Sequence, residues 1–386
     1  YHCSFMDCDG GGGAGEALLG EGAAARGPAR GPVGLRELGA RHFRPRWKGL
    51  DIPDLPGLLA EFRARLAAHP LGREAELFVC TTPAVLCSLF LGLGRPLLGY
   101  LGEPVLLSVR EEDRSAWWLT FERMVSDRRN FFACYNPFLA SMVEYQTGFV
   151  LPTIRLHGLY TEATYSPSGG NRVLVVKGPN ICVDSVCLLN RFTSGKSRPP
   201  PEECEGPRPC FLGLDELGGL PYRELAAFRA VVMYPYDVAL AMFYELYSMG
   251  VPILLPHVDH LRFFVFRGLH SHAEYHHVQE ASGRNGSQGL APFVPALGVR
   301  EWFSAAGPWG ACTDFALFPH LLRFRTVAEL LSVLAPGATD WLAVSAGMRR
   351  FNEEALVRSA GQWASGVSAA LAGAAGAERR AWAQKK

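Results

Sequence analysis

Two acids, Asp237 and Glu245, stand eight residues apart between the apolar runs Ala230–Met233 and Val251–Leu255. Such runs suit buried parallel strands. Pro235 stops the first run, Asp237 opens a helix as both cap and dipole partner, and Gly250 ends that helix. The order strand-loop-helix-strand is the unit of a doubly wound sheet, whose ligands bind outside the carboxyl ends of the strands. Both acids are thus expected where a ligand would sit. Lys177 closes the run Arg172–Val176 at the same kind of edge. A cation there can neutralise a departing phosphate, or merely reach water along its stem. Gly178 lets the backbone approach a phosphate, or simply turns the chain. Arg155 and His157 lie two apart on an extended segment and share a face. His157 can orient a hydroxyl or serve as a base, and Arg155 can hold a phosphate or a substrate acid. The alternative for this pair is an interdomain ion pair and a satisfied imidazole. Tyr135 and Asn136, and Thr81 and Thr82 on the same logic, end first-domain strands on the side of a second substrate.

The elements that must position these residues alternate in type. Helices are expected over 54–68, 115–126, 137–147, 181–191, 326–334 and 352–372, and Thr81-Thr-Pro83 is expected to turn into a helix ending near Gly92. Strands are expected over 76–80, 96–100, 130–135, 150–157, 172–176, 210–213, 230–233 and 251–255. Short turns join them, so the fold class is α/β with parallel sheets covered on both faces. A cluster of Pro, Ser and Gly at 166–171 marks a domain boundary. Residues 1–45 are expected as a Gly/Ala-rich segment, either flexible and of low complexity or a Gly-rich loop able to approach a phosphate, 46–167 as a first domain, 168–345 as a second, and 346–386 as a terminal helical segment.

The stretch Asp237-x7-Glu245, Leu-Tyr-Ser-Met-Gly250-Val-Pro252-Ile-Leu-Leu, resembles the nucleotide-sugar site of GT-B glycosyltransferases, many of whose retaining members carry Glu-x7-Glu and then Gly-x-Pro. The first acid departs from that pattern by one methylene. The Pro-terminated segment 154–167 ahead of the strand at 172 is similar to the linker of those enzymes. The resemblance implies two Rossmann-like domains facing across a cleft, with the terminal helix crossing back onto the first. It implies sugar transfer from a nucleotide-sugar donor to a hydroxyl of a glycan, protein or small molecule, without a metal and with retention. The donor would be bound by Glu245, Tyr236, Gly178, Gly250 and His257, with Asp237, Lys177, His157 and Arg155 around the reacting groups. No further cofactor is implied beyond the nucleotide-sugar co-substrate. A sugar-nucleotide epimerase and a non-catalytic binding relative stay open; the first would need a pair of acid–base groups beside the sugar.

Bulk properties narrow the classes. Of 386 residues, 19% are charged and 48% hydrophobic, as in a packed globular protein, and a net charge of +1 gives no reason to expect nucleic acid or an anionic membrane as partner. The most apolar stretch, 77–109, is broken by Pro83, Gly92, Arg95 and Glu103 and reads as core rather than membrane span. The chain opens on Tyr1 rather than Met, as a fragment or processed form would. Cys80, Cys134 and Cys182 suit buried thiols, whereas Cys204 and Cys210 flank a Pro-rich loop and can bridge. With the sequon Asn285-Gly-Ser287, that bridge leans toward a secretory lumen. The histidines from His257 to His277 match no familiar zinc spacing, and Asp7-Cys-Asp9 lies apart from any core strand. Ser194-Gly-Lys-Ser197 is no phosphate loop, because Asn190 stands where glycine is required and prolines follow. No serine-hydrolase elbow or zinc-protease helix motif occurs.

Overall fold

The computed structural model describes residues 44–46, 49–68, 72, 74–168, 170–176, 185–197, 204, 206–268 and 307–383. Lys177, Gly178, Cys182, the Gly-rich segment, Asp7, Asp9, the histidines 270–277 and the sequon lie outside them.

A small antiparallel hairpin, β1 (Arg44–Arg46) and β2 (Gly49–Asp51), leads into α1 (Leu55–Ala68). Next come β3 (Phe78–Cys80), β4 (Leu97–Leu101) and β5 (Phe131–Cys134), parallel and in sequential order. A 3-10 helix (Ala84–Phe90), α2 (Arg114–Ser126) and α3 (Pro137–Thr147) accompany them. Their shared core holds Phe62, Leu89, Trp117, Trp118, Phe121, Phe132 and Phe138. The approach of β4 to β5 is close: a Cβ on Gly99 would strike the Phe132 ring at 2.2 Å. The expected strand at 150–157 contributes one bridge only, Thr153 to Cys134. Pro152 has no N–H to continue the ladder, and it is instead a carbonyl acceptor for Cys134 at 2.9 Å.

The second sheet is built from β6 (Arg172–Val176), β7 (Cys210–Gly213), β8 (Ala230–Met233), β9 (Ile253–Pro256) and β10 (Leu322–Phe324). All neighbours are parallel, in the order β7-β6-β8-β9-β10. This is the doubly wound order 2-1-3-4-5, whose topological switch point falls between its first and third strands, here β6 and β8. Alternate side chains feed two cores. Leu174, Val231, Met233 and Ile253 enter one, and Val173, Val175, Val232 and Leu254 enter the other. Burial on both faces explains why these strands read as unbroken apolar runs. The helices here are α4 (Ser185–Ser194), α5 (Tyr222–Leu225), α6 (Ala241–Met249), α7 (Val258–Gly268), α8 (Asp314–Leu317) and α9 (Val327–Val333).

The chain closes on α10 (Trp341–Ala383), 43 residues long. Phe351 packs on Tyr247 and Phe318 beside the second sheet, while Trp363 meets Tyr100 and Phe131 of the first. Further along, a Cβ on Gly373 would lie 2.4 Å from the Arg128 carbonyl. α10 begins well before the expected Asn352, because Asp340 accepts the Ala343 N–H at 2.9 Å and caps the start. One more expectation changes: Cys80 is no free thiol but is bonded to Cys87. Cys204 and Cys210 are bonded to each other. Among the described residues, no helix is long and apolar enough to cross a membrane.

Candidate functional site

The carboxyl ends of β4, β5 and β8 meet. After β8, the segment Tyr234-Pro-Tyr-Asp237 remains non-helical: α6 begins only at Ala241, behind Leu240, with no side-chain cap. Asp237 is therefore not the helix cap that its position suggested. Its Oδ1 accepts the N–H of the next residue, Val238, at 2.6 Å. Val238 is 4% exposed and belongs to the core of the first sheet, so it plugs this loop into the other half of the molecule.

Glu103 lies just past the end of β4, and its charge acts on Asp237. The chain there is held firmly. Gly102 donates to Thr82 Oγ1 at 3.3 Å, and a Cβ on it would lie 2.7 Å from the Tyr135 ring. Just beyond, Val105 and Leu106 are buried, and Trp117 Nε1 donates to the Val105 carbonyl at 2.9 Å. Burial pushes the Glu103 carboxyl from 4.5 up to about 7. Asp237 is pushed from 3.8 up to about 8, by burial first and then by the charge of Glu103. Both side chains stay partly open to solvent. Tyr135 stands with them, its hydroxyl driven well up by burial and then by both acids. Two half-buried acids with carboxyls raised toward neutrality can donate or accept a proton near neutral pH.

A second cluster adjoins the first through Tyr135, whose ring meets that of Tyr244 edge-on at 5.9 Å. Tyr244 donates to Asp314 Oδ2 at 2.8 Å, and Arg155 Nε donates to Asp314 Oδ1 at 3.0 Å. The Asp314 side chain is 2% exposed. Burial raises its carboxyl, against the pull of Arg155 and the Tyr244 hydroxyl. Arg155 also lies over the Phe318 ring at 5.3 Å. Asn136 caps α3 by accepting the Leu139 N–H at 2.8 Å, while its buried Nδ2 has no hydrogen-bond partner among the described residues.

The remaining expected residues are spread over both halves of the molecule. Glu245 lies buried on α6, where its Oε1 accepts from Tyr160 at 2.5 Å and Tyr222 at 3.1 Å. Gly158 makes room for it, since a Cβ there would come within 2.9 Å of the Glu245 Cα. Glu245 and Asp237 share no hydrogen-bond partner among the described residues. His157 bonds through Nδ1 to Asn352 Oδ1 and through Nε2 to Ser359 Oγ, both at 3.1 Å, so α10 occupies both of its nitrogens. Burial, and then the charge of Arg155, hold its imidazole below the usual range. Tyr236 is half-buried beside Asp237, with its hydroxyl raised by burial. His257, beyond β9, pairs with Asp259 at 3.0 Å and with Arg325 at 2.8 Å. Gly250 sits at the amino end of β9, away from that edge, with a left-handed φ of 75°. A Cβ there would meet Arg349 and Ser345 of α10 at 2.8 Å. The structure thus brings Asp237 and Tyr236 together with Tyr135, and holds His157, Glu245 and Gly250 elsewhere.

Sequence reasoning missed Glu103 and Asp314. Glu103 appears only as a break in an apolar stretch; the available signal was its place just past the strand expected at 96–100. Asp314 lies on a four-residue helix that no periodicity announces.

No protein-family model matches the chain, and no curated protein is found similar to it. Among solved structures it is similar to CalG4, the calicheamicin glycosyltransferase. Identity is 13% over 83% of this chain and 80% of that one, with a TM-score of 0.36. So distant a likeness assigns no activity to this chain.

Proposed function

We propose that this chain transfers a sugar from a nucleotide-sugar donor to an acceptor hydroxyl, with the reacting centre between the carboxyl ends of β4, β5 and β8. What supports it is that Asp237, on the loop after β8 and so next to the β6–β8 switch point, feels the charge of Glu103, which follows β4 in the other parallel sheet. Switch points are where doubly wound sheets hold nucleotides. The second sheet holds the donor, with Tyr236 and Asp237 toward the sugar and phosphates and Lys177 and Gly178 following β6. The first sheet presents the acceptor near Tyr135. Glu245, His257 and Gly250 support the donor half, and Arg155 and His157 brace the junction. Two facing sheets with α10 packed along both fit a GT-B-like plan. No resident metal is required by this scheme. A secretory lumen suits the two disulfides.

The same carboxyl pair favours a second reading, epimerisation of a sugar nucleotide, which needs two acid–base groups and no acceptor. A thermal-shift panel of UDP, GDP, ADP and CMP tests the shared premise. A nucleotide at about 100 times its dissociation constant stabilises the fold by about 2.7 kcal/mol. One nucleotide is expected to shift the transition strongly, and no shift with any of the four would sink both readings. Incubating its sugar conjugate in D2O separates them: deuterium incorporated into the sugar ring marks epimerisation, and release of the nucleoside diphosphate without such labelling marks transfer.

A further inference from the structure

We propose that the Cys80–Cys87 bridge is a redox-sensitive catch. It holds Ala84–Phe90 in 3-10 form, and its reduction lets that segment relax to an α-helix and loosens the end of β4. The inference stands apart from the transferase reading.

Three observations carry it. First, the segment is long for its type. It covers 7 residues, whereas 3-10 runs seldom pass about four because their hydrogen bonds are poorly aligned. The tighter pattern holds at both ends: Leu86 N–H donates to the Pro83 carbonyl at 3.0 Å, and Leu91 N–H to the Ser88 carbonyl at 3.2 Å. Nothing in the run itself forbids an α-helix, since Ala84-Val-Leu-Cys-Ser-Leu-Phe90 contains neither Gly nor Pro.

Second, the bridge grips the point where the two windings differ. Cys80 ends β3, where it is held opposite Gly99 of β4. Cys87 stands in the middle of the 3-10 run, its Cα 5.4 Å from that of Cys80. In a 3-10 helix residues three apart eclipse, so Cys87 lines up with Ala84. An α-helix turns it about 60° off that line and draws it about 1.5 Å nearer along the axis. A disulfide has a narrow geometry, so a bond to a residue fixed in a strand resists that turn.

Third, the loop closed by the bridge reaches β4. Thr82 lies inside it, and its Oγ1 accepts the Gly102 N–H at 3.3 Å. Gly102 in turn sits under the Tyr135 ring, where a Cβ would come within 2.7 Å. A shift at Thr82 therefore passes to the end of β4. Ala84–Leu89 are buried, so the segment keeps its place in the core and changes its winding.

A dithiol supplies the electrons. Its thiolate attacks Cys80 Sγ, since Cys80 is 6% exposed and Cys87 0%. The bond between the two sulfurs breaks, and its electron pair leaves on Cys87 Sγ, which takes up a proton. The second thiolate of the reagent displaces Cys80 Sγ, which is protonated in turn, and the reagent ends as a cyclic disulfide. An oxidising compartment keeps the catch shut, and a reducing one opens it.

The test uses the full chain. Iodoacetamide under denaturing, non-reducing conditions is expected to leave Cys80 and Cys87 unlabelled, and labelling of both would overturn the proposal. Amide hydrogen exchange is then read by mass spectrometry with and without dithiothreitol. Reduction is expected to speed exchange of the Gly102 amide about tenfold while α2 keeps its protection. In Thr82→Val that amide is expected to exchange fast already, with no further change on reduction. Unchanged exchange at Gly102 would overturn the catch. So would loss of protection throughout the chain, which marks a bridge that merely staples the fold. The winding is read in a crystal structure of Cys80→Ala/Cys87→Ala or, where that variant does not fold, of the parent soaked in dithiothreitol. Hydrogen bonds from i to i+4 over Ala84–Phe90 are expected, and a persisting 3-10 helix would overturn the proposal.

Discussion

Replacing Glu103 with Gln should make the protein more stable at alkaline pH. In the folded chain Glu103 keeps its proton up to about pH 7, whereas its ordinary value is 4.5. Between those values the native state binds more protons than the unfolded state, so stability falls as pH rises and the loss is complete above about pH 8. A tenfold change in proton affinity is worth about 1.4 kcal/mol, so ionising Glu103 in place costs about 3 kcal/mol. The side chain is partly open to water, and solvent screening leaves about half of that, roughly 1.5 kcal/mol. The groups that face it act in the same direction or are neutral: Asp237 is an acid, and Tyr135 stays protonated throughout this range. Glutamine has the same shape and no charge to desolvate. Its absence of charge also lowers the cost of ionising Asp237, which Glu103 now raises. Urea unfolding at pH 5 and pH 8.5 should therefore show the variant ahead by about 1.5 kcal/mol at the higher pH and by much less at the lower. Equal stability at pH 8.5, or an equal gain at both pH values, would mean that Glu103 is an ordinary solvated acid.

Two further substitutions probe the frame around the site. Arg155→Ala leaves Asp314, with a side chain 2% exposed, without its cation. We expect a loss of about 3 kcal/mol in urea unfolding, partly recovered when Asp314→Asn is added; a loss below about 1 kcal/mol would show that the pair is solvated. Asn190→Ala removes a buried two-way tie between α4 and β7, in which Nδ2 donates to the Phe211 carbonyl and Oδ1 accepts its N–H, each at 2.9 Å. Two backbone groups lose their partners, so about 2 kcal/mol should be lost, and a near-neutral variant would mean that water replaces the amide.

Much of the frame was legible locally. Pro137–Thr147, Cys210–Gly213 and Ala230–Met233 have the expected bounds, because each is set by neighbours in sequence: Asn136 caps and Gly148 stops the helix, and Val-rich runs fill the buried strands. Errors arose where a distant element decides. An acid before a helix reads as its cap, yet Asp237 is drawn away by Val238, which enters the core of the other sheet. His157 and Glu245 have the right chemistry for a ligand, but α10 and two tyrosines take up their hydrogen bonds. Nothing near Glu103 in sequence reveals the loop that comes to face it.

The acids at the junction differ in how their cost is met, and that difference is the strongest internal support for the site. Asp314 is nearly sealed, but an arginine and a tyrosine hydroxyl satisfy it. Glu245 is buried and accepts two tyrosine hydroxyls. Glu103 and Asp237 oppose one another instead, with no cation beside either among the described residues. Folding alone would favour neutral side chains of that shape, since like acids in a half-dry setting repel and are desolvated together. An arrangement that lowers stability at the meeting of two sheet edges is expected where a ligand completes it. Hydroxyl groups of a bound ligand would supply the partners that these two carboxyls lack among the described residues.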